Sequence, residues 1–306
     1  MSATVIGHDP GAFAAIDWRA RFTTAIVLMA TATLTLAPDV AHATPQPCHA
    51  PAELAKFGAP TPRLVRSFEA DTTIRIVALG SSSTEGAGAS SSARSYPAQL
   101  EQALRQRVPS HHFEVINRGK GGQLAADMLA RIDTDVIAAW PALVIWQTGV
   151  NDAIRNIDVA QFRATLEAGI ARFKAHAIDV VLLDLQYYPT AAKVPAYRAY
   201  LDVIRDTGAR LEVPVFRRFA LMTHLIESRQ FKAEELLAPD LFHQNDLSYS
   251  CLAAAMADAV GARLTTRRGA PGAKTLNSAV GTGAVSGGAP ATLGTPGAAT
   301  TAAAMP

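Results

Sequence analysis

The chain predicts an α/β fold with a parallel sheet covered on both faces, and three observations carry that prediction. Five short runs rich in β-branched residues recur through the middle of the sequence, each is apolar at nearly every position, and longer amphipathic segments separate them. A strand that is apolar on both sides must be buried on both, and a parallel neighbour needs a crossover long enough to hold a helix. The alternation therefore points to helices above and below one sheet. No internal repeat is visible in the sequence.

The first strand is expected at residues 73–79, where Ile-Arg-Ile-Val-Ala-Leu follows two threonines, with a helix over 97–107. A second strand at 113–116 and a helix over 124–139 follow, then a fully apolar third strand at 142–146. The helix expected at 159–176 has the clearest face. Phe162, Leu166, Ile170 and Phe173 recur at spacings of four, four and three and form one apolar stripe, while Arg163, Glu167, Arg172 and Lys174 make its solvated side. Strands at 180–185 and 213–216 and helices at 194–211 and 247–264 complete the series.

In an open parallel sheet, ligands bind beyond the carboxyl ends of the strands, so the residues just after each strand are the informative ones. Here they are Gly80-Ser81-Ser82-Ser83-Thr84-Glu85-Gly86, then Asn117-Arg118-Gly119-Lys120-Gly121-Gly122, then Thr148-Gly149-Val150-Asn151-Asp152. After the fifth strand a helical stretch leads to Asp240-Leu241-Phe242-His243. Acyl transfer through a serine needs a hydroxyl nucleophile, an imidazole base, a carboxylate that orients the base, and donors aimed at the developing oxyanion. Each of these residue types stands at a strand end.

The four blocks resemble those of the SGNH hydrolase family, also called GDSL-type esterases and lipases. The matches are Gly80-x-Ser82-x-Thr84, Asn117-x-x-x-x-Gly122, Gly149-x-Asn151-Asp152 and Asp240-x-x-His243, in the family's order across residues 73–264, with Asn245 and Tyr249 following as they often do in the family. The resemblance implies a three-layer sandwich with a five-stranded parallel sheet, flavodoxin-like, acting without cofactor or metal. It also implies Ser82 as nucleophile, His243 as base and then acid, and Asp240 as its orienter. The Ser82 N–H, Gly122 and Asn151 would form the oxyanion hole. One departure is Ser81, where the family usually has Asp; a hydroxyl accepts fewer turn-stabilising hydrogen bonds than a carboxylate.

Other residues carry weaker signals. Lys120, with Arg118, lies beside the second loop, where it is either a contact for an anionic substrate or a solvated charge. Gln186, Tyr187 and Tyr188 follow the fourth strand and either line the pocket or pack against the sheet. Gln147 reads as structural, and Glu85 as an unneeded rival base. An α/β-hydrolase elbow is disfavoured, because the Gly80 turn lacks the second glycine and sits on the first strand. The expected activity is hydrolysis of a small carboxylic ester or of an acylated carbohydrate, the acyl group short. The rival readings are an acyltransferase on the same fold and a catalytically silent carbohydrate-binding module of the envelope.

Both ends read differently from the middle. Arg19 and Arg21 precede an uncharged stretch at 22–38 and a small-x-small Ala41-His42-Ala43, the pattern of a signal peptide over 1–43, although a leader carrying Asp9 and Asp17 leaves a signal anchor as the alternative. The mature protein is expected in the periplasm or outside the cell, with no stable membrane span. Residues 44–72 read as an N-terminal extension, 73–267 as the hydrolase domain, and 268–306, with 8 Gly, 4 Pro and 11 Ala, as a disordered tail. Export makes a disulfide between Cys48 and Cys251 permissible, two buried thiols being the alternative. With 28 basic against 26 acidic residues, scattered rather than striped, nucleic acid is an unexpected partner. Neither the two cysteines nor the eight histidines have metal-ligand spacing.

Overall fold

The computed structural model describes residues 48–265. The expected signal segment and tail lie outside the described residues. Five parallel strands, β1 (Thr73–Gly80), β2 (His112–Gly119), β3 (Leu143–Gln147), β4 (Asp179–Leu183) and β5 (Val215–Phe216), form one sheet in the order β2-β1-β3-β4-β5. The helices are α1 (Pro62–Ala70), α2 (Ser82–Glu85), α3 (Tyr96–Arg107), α4 (Ala125–Ala130), α5 (Ile132–Asp135), α6 (Val150–Ile154), α7 (Val159–Ala175), α8 (Tyr197–Arg210), α9 (Arg218–Glu227), α10 (Ala233–Leu236) and α11 (Asp246–Thr265). No described helix is long and apolar enough to cross a membrane.

The period-two geometry of the strands explains the two cores. Ile74, Ile76 and Ala78 of β1, with Leu143, Ile145, Val181 and Leu183, face a layer that includes residues of α3, α9 and α11. Their neighbours Val77, Leu79, Val144, Trp146, Val180 and Leu182 face the stripe Phe162, Leu166, Ile170 and Phe173 of α7 together with residues of α4 and α8. The segment before β1 joins the first core through Phe57 and Leu64, and the Leu64 N–H donates to Asp179 at 2.9 Å. Cys48 and Cys251 are joined in a disulfide, Cα to Cα 5.4 Å, which ties this segment to α11.

Several expected boundaries differ, three of them for identifiable reasons. The helix expected at 124–139 breaks at Arg131. That guanidinium turns inward to donate to the Gly80 carbonyl at 3.0 Å, Gln123 Oε1 at 2.7 Å and Asp135 at 2.5 Å. The helix expected from 194 starts at Tyr197, because Pro195 holds Val194 in an extended conformation. The last strand is two residues rather than four: Pro214 has no N–H to give the ladder, and the Val213 N–H is taken by the Gly208 carbonyl.

Sheet order and register position the site. The direction of crossover reverses between β1 and β3, the place where an open α/β sheet leaves a crevice at its carboxyl end. Gly80 lies opposite Gly119 and Leu79 opposite Trp146, so β1, β2 and β3 end at one level.

Candidate active site

Ser82 is the first residue of α2, directly after the β1 turn. The turn is held by Gln147 at the end of β3. Its side-chain oxygen accepts from the Ser81 N–H at 2.9 Å and from the Ser81 and Thr84 hydroxyls, each at 3.1 Å. Since the Ser81 N–H can only donate, the amide oxygen must face it, and the amide nitrogen of Gln147 is left buried without a partner. Gly80 is required by close approach. A β-carbon there would lie 2.1 Å from Thr84 Oγ1 and 2.7 Å from Gln147 Oε1. The Ser81 position that departs from the family's Asp is therefore served by a carboxamide from the neighbouring strand.

The imidazole arrives on a surface turn. His243 Nε2 is 2.9 Å from Ser82 Oγ, and His243 Nδ1 is 2.6 Å from Asp240 Oδ2. The other Asp240 oxygen accepts from the backbone N–H groups of Phe242 (3.0 Å) and His243 (2.9 Å). Burial works upward on the Asp240 carboxyl, but these bonds from His243 and the two N–H groups outweigh it and hold the carboxyl below its ordinary range. A carboxylate on one ring nitrogen fixes the proton there and leaves Nε2 to accept from the serine hydroxyl. The turn is closed by Ala238 N–H to the His243 carbonyl at 2.8 Å, and by Asn245, whose carboxamide donates to the carbonyls of Glu235 and Leu237. Gly88, at φ +86°, lets the loop after α2 lie against the turn: a β-carbon there would be 2.4 Å from the Gln244 carbonyl oxygen and 2.9 Å from His243 Cβ. The Tyr249 hydroxyl steadies the same loop through the Ala87 carbonyl at 2.6 Å.

Consecutive residues of α6 clamp the loop that carries Gly122. Asn151 Nδ2 donates to the Gln123 carbonyl at 2.9 Å, and the buried Asp152 carboxylate accepts the Ala125 N–H at 3.1 and 3.2 Å. Gly122 itself has φ +74°. Asn117 ties the start of that loop to α2, donating to the Thr84 carbonyl at 2.8 Å and accepting from the Gly119 N–H.

The substrate-contact candidates part company. Lys120 sits 3.5 Å from Asp135, the carboxylate that also takes Arg131. Tyr188 is buried edge-on against Phe242 and Tyr197, with centroids 4.9 and 5.5 Å away, while Tyr187 is half-buried near Phe219. Together Tyr187, Tyr188, Tyr197, Arg198, Leu201 and Phe219 line a cavity of about 410 Å³. Phe242 separates Tyr188 from His243, whose ring is 4.8 Å from its own. Beneath the histidine turn lie two buried groups not anticipated from sequence. Arg218 donates to the Asp184 carbonyl at 3.0 Å and reaches Gln244 Oε1 at 3.5 Å, and Asp184 accepts the Phe219 N–H at 2.9 Å. Their only sequence signal was an acid inside the strand expected at 180–185 and a base just after the one expected at 213–216. Among the described residues there is no cluster of acidic, histidine or cysteine side chains able to hold a metal.

Comparison with known proteins gives this chain relatives in sequence and in fold. A family model described as the Non-GDSL lipase-like family matches residues 47–266. The uncharacterized lipoprotein YqeF of Bacillus subtilis is 27% identical over 188 residues, covering 52% of this chain and 75% of its own. Among solved structures, a lipase/acylhydrolase from Enterococcus faecalis superposes with a TM-score of 0.52 at 26% identity, over 62% of this chain and 96% of that one. A two-domain esterase active on acetylated mannans superposes with a TM-score of 0.59 at 20% identity over 70% of this chain, which spans only 56% of that protein.

Proposed function

We propose that this chain, which belongs to the Non-GDSL lipase-like family and is a carboxylic ester hydrolase of the SGNH type, cleaves its substrate through Ser82, His243 and Asp240. The observation that carries the reading is the unbroken relay from Ser82 Oγ through both nitrogens of His243 to Asp240, at 2.9 and 2.6 Å. Ser82 Oγ attacks the ester carbonyl carbon as His243 Nε2 takes its proton, and Asp240 stabilises the imidazolium that results. Negative charge then develops on the carbonyl oxygen. The donors assigned to it are the Ser82 N–H, which at the first position of α2 has no carbonyl within the helix to bond, the Gly122 N–H, and the second hydrogen of the Asn151 amide, whose first is held by Gln123. Collapse of the intermediate returns the proton from His243 to the departing alcohol. Water, activated by the same imidazole, then releases the acid from the acyl-serine.

The substrate reading is a short acyl ester on a carbohydrate. The aromatic cavity beside Phe242 supports it, since ring faces suit the apolar faces of a sugar, as does the structural relative active on acetylated mannans. Export is read from the signal-like pattern of 1–43, the disulfide and the lipoprotein relative. With its sulfur bonded to Cys251, Cys48 keeps no thiol for lipid attachment.

The test is hydrolysis of p-nitrophenyl acetate, butyrate and octanoate by wild type, Ser82→Ala and His243→Ala, each checked for folding by circular dichroism. Acetate is expected to turn over faster than octanoate, and both variants to lose roughly 10³-fold or more in kcat. Undiminished turnover in Ser82→Ala, or a folded wild type inert to all three esters and to acetylated mannan, would overturn the reading.

A further inference from the structure

Gln186 stands three residues beyond β4 and is fully buried. Its amide makes two short hydrogen bonds to the two halves of the site. The Ser83 hydroxyl donates to Gln186 Oε1 at 2.6 Å, and Gln186 Nε2 donates to the Phe242 carbonyl at 2.6 Å. The orientation is forced. A carbonyl oxygen can only accept, so the amide nitrogen faces Phe242, and the amide oxygen is left for Ser83. The backbone carbonyl of Gln186 accepts the Tyr197 hydroxyl, also at 2.6 Å, which anchors the residue from behind.

Ser83 is bonded to Ser82, and Phe242 to His243. The contacts therefore close a ring: Ser82 to Ser83, across Gln186 to Phe242, on to His243, and back to Ser82 through the 2.9 Å hydrogen bond. Of the five links two are covalent, the Ser83–Gln186 bond is buried and the Gln186–Phe242 bond part-buried, and the last, between His243 and Ser82, is where substrate reacts. The histidine turn is otherwise a surface feature, with its Asp240 side chain 47% exposed. A buried brace between the turns limits how far His243 can move relative to Ser82.

We propose that Gln186 is a positioning residue that sets the reach of His243 to Ser82, a role that rests on the serine mechanism above. A misplacement of about 1 Å costs on the order of 100-fold in rate, so loss of the brace acts on kcat. Gln186→Leu keeps the size and removes both bonds. It is expected to lower kcat for p-nitrophenyl acetate by roughly 10- to 100-fold with KM within about twofold, at a temperature where both proteins are fully folded by circular dichroism. Gln186→Glu gives the signature that separates positioning from general loss of structure. When protonated, its carboxyl can both accept from Ser83 and donate to Phe242; when ionised, it opposes the Phe242 carbonyl. Burial raises the pKa of such a carboxyl, so the ratio of variant to wild-type kcat should climb as pH is lowered. Ser83→Ala in the Gln186→Leu background should cost little more than Gln186→Leu alone.

A folded Gln186→Leu with kcat within twofold of wild type would overturn the proposal, as would an effect confined to KM or a flat pH ratio for Gln186→Glu. Ser82→Ala runs in the same assay. Turnover lost there and retained in Gln186→Leu sinks the positioning role alone; turnover retained in Ser82→Ala sinks the serine mechanism and the role with it.

Discussion

The two turns that meet at the candidate site are built in opposite ways. The serine turn is interior: Ser81, Ser83 and Thr84 are buried, and Gln147 pins Ser81 and Thr84 to the middle of the sheet. The histidine turn lies at the surface, with Leu241 exposed and in a left-handed conformation at φ 53° and the Asp240 side chain nearly half exposed. Sheet packing thus places the serine, whereas the imidazole is placed by one carboxylate and a few props from neighbouring segments. Damage to the first turn should therefore appear as lost stability, and damage to the second as lost activity in a protein that still folds.

Asp240→Asn is the sharpest way to break the second turn. The amide can present its NH₂ where the carboxylate accepted from Nδ1, favouring the wrong tautomer and removing the charge that stabilises the imidazolium. We expect kcat for p-nitrophenyl acetate to fall by roughly 10⁴-fold, with KM nearly kept, because this substitution leaves the fold in place. The thermal midpoint should move by no more than a degree or two. A midpoint drop large enough to account for the lost rate would mean that the surface turn carries fold stability after all.

The converse experiment is Gly80→Ala. Its β-carbon would overlap Thr84 Oγ1 and press on Gln147 Oε1, the acceptor that holds the turn. Overpacking and a weakened buried bond together should destabilise the protein by about 2–4 kcal/mol, read as a lower urea midpoint at unchanged slope. A fully stable Gly80→Ala would show that the serine turn can relax, and the contrast between the turns would shrink.

This contrast also explains what the sequence could disclose. Strands and the α7 stripe were legible because a two-faced strand and a one-faced helix impose periods that survive without tertiary context. The first three site blocks follow strand ends and the fourth follows α9 and α10, and the set was legible through its resemblance to the SGNH family's order and local spacing. Gln147, read as structural, takes that part by accepting from Ser81 and Thr84. What remained hidden depends on distant residues. The break at Arg131 follows from a guanidinium reaching back to Gly80, and the helix α1 owes its buried face to Asp179 and the first core. Lys120 was visible as a cation, but its Asp135 partner fifteen residues on was not. Gln186 was noticed only as a neighbour of two tyrosines, because nothing in one chain segment shows that Ser83 and Phe242 converge on it.

The last expected effect compares the two carboxyls on the histidine side, which respond to pH with opposite sign. Asp240, held below its ordinary value mainly against burial by the His243 bond, stabilises the fold above the unfolded value near 3.8 and loses that contribution as pH falls through its folded value. Asp184 does the reverse. Burial raises it to about 7, against the Phe219 N–H and the Arg218 charge. Between about pH 4 and 7 the native state then keeps a proton that the unfolded chain has lost, so stability declines with rising pH through that window and levels above it. Asp184→Asn keeps an oxygen for the Phe219 N–H but cannot titrate. Its urea midpoint relative to wild type should therefore rise from pH 4 to 7 and run parallel beyond. Curves parallel throughout would mean that the Arg218 guanidinium compensates the buried carboxylate fully, and that the floor under the histidine turn is a charged pair rather than a protonated acid beside a cation.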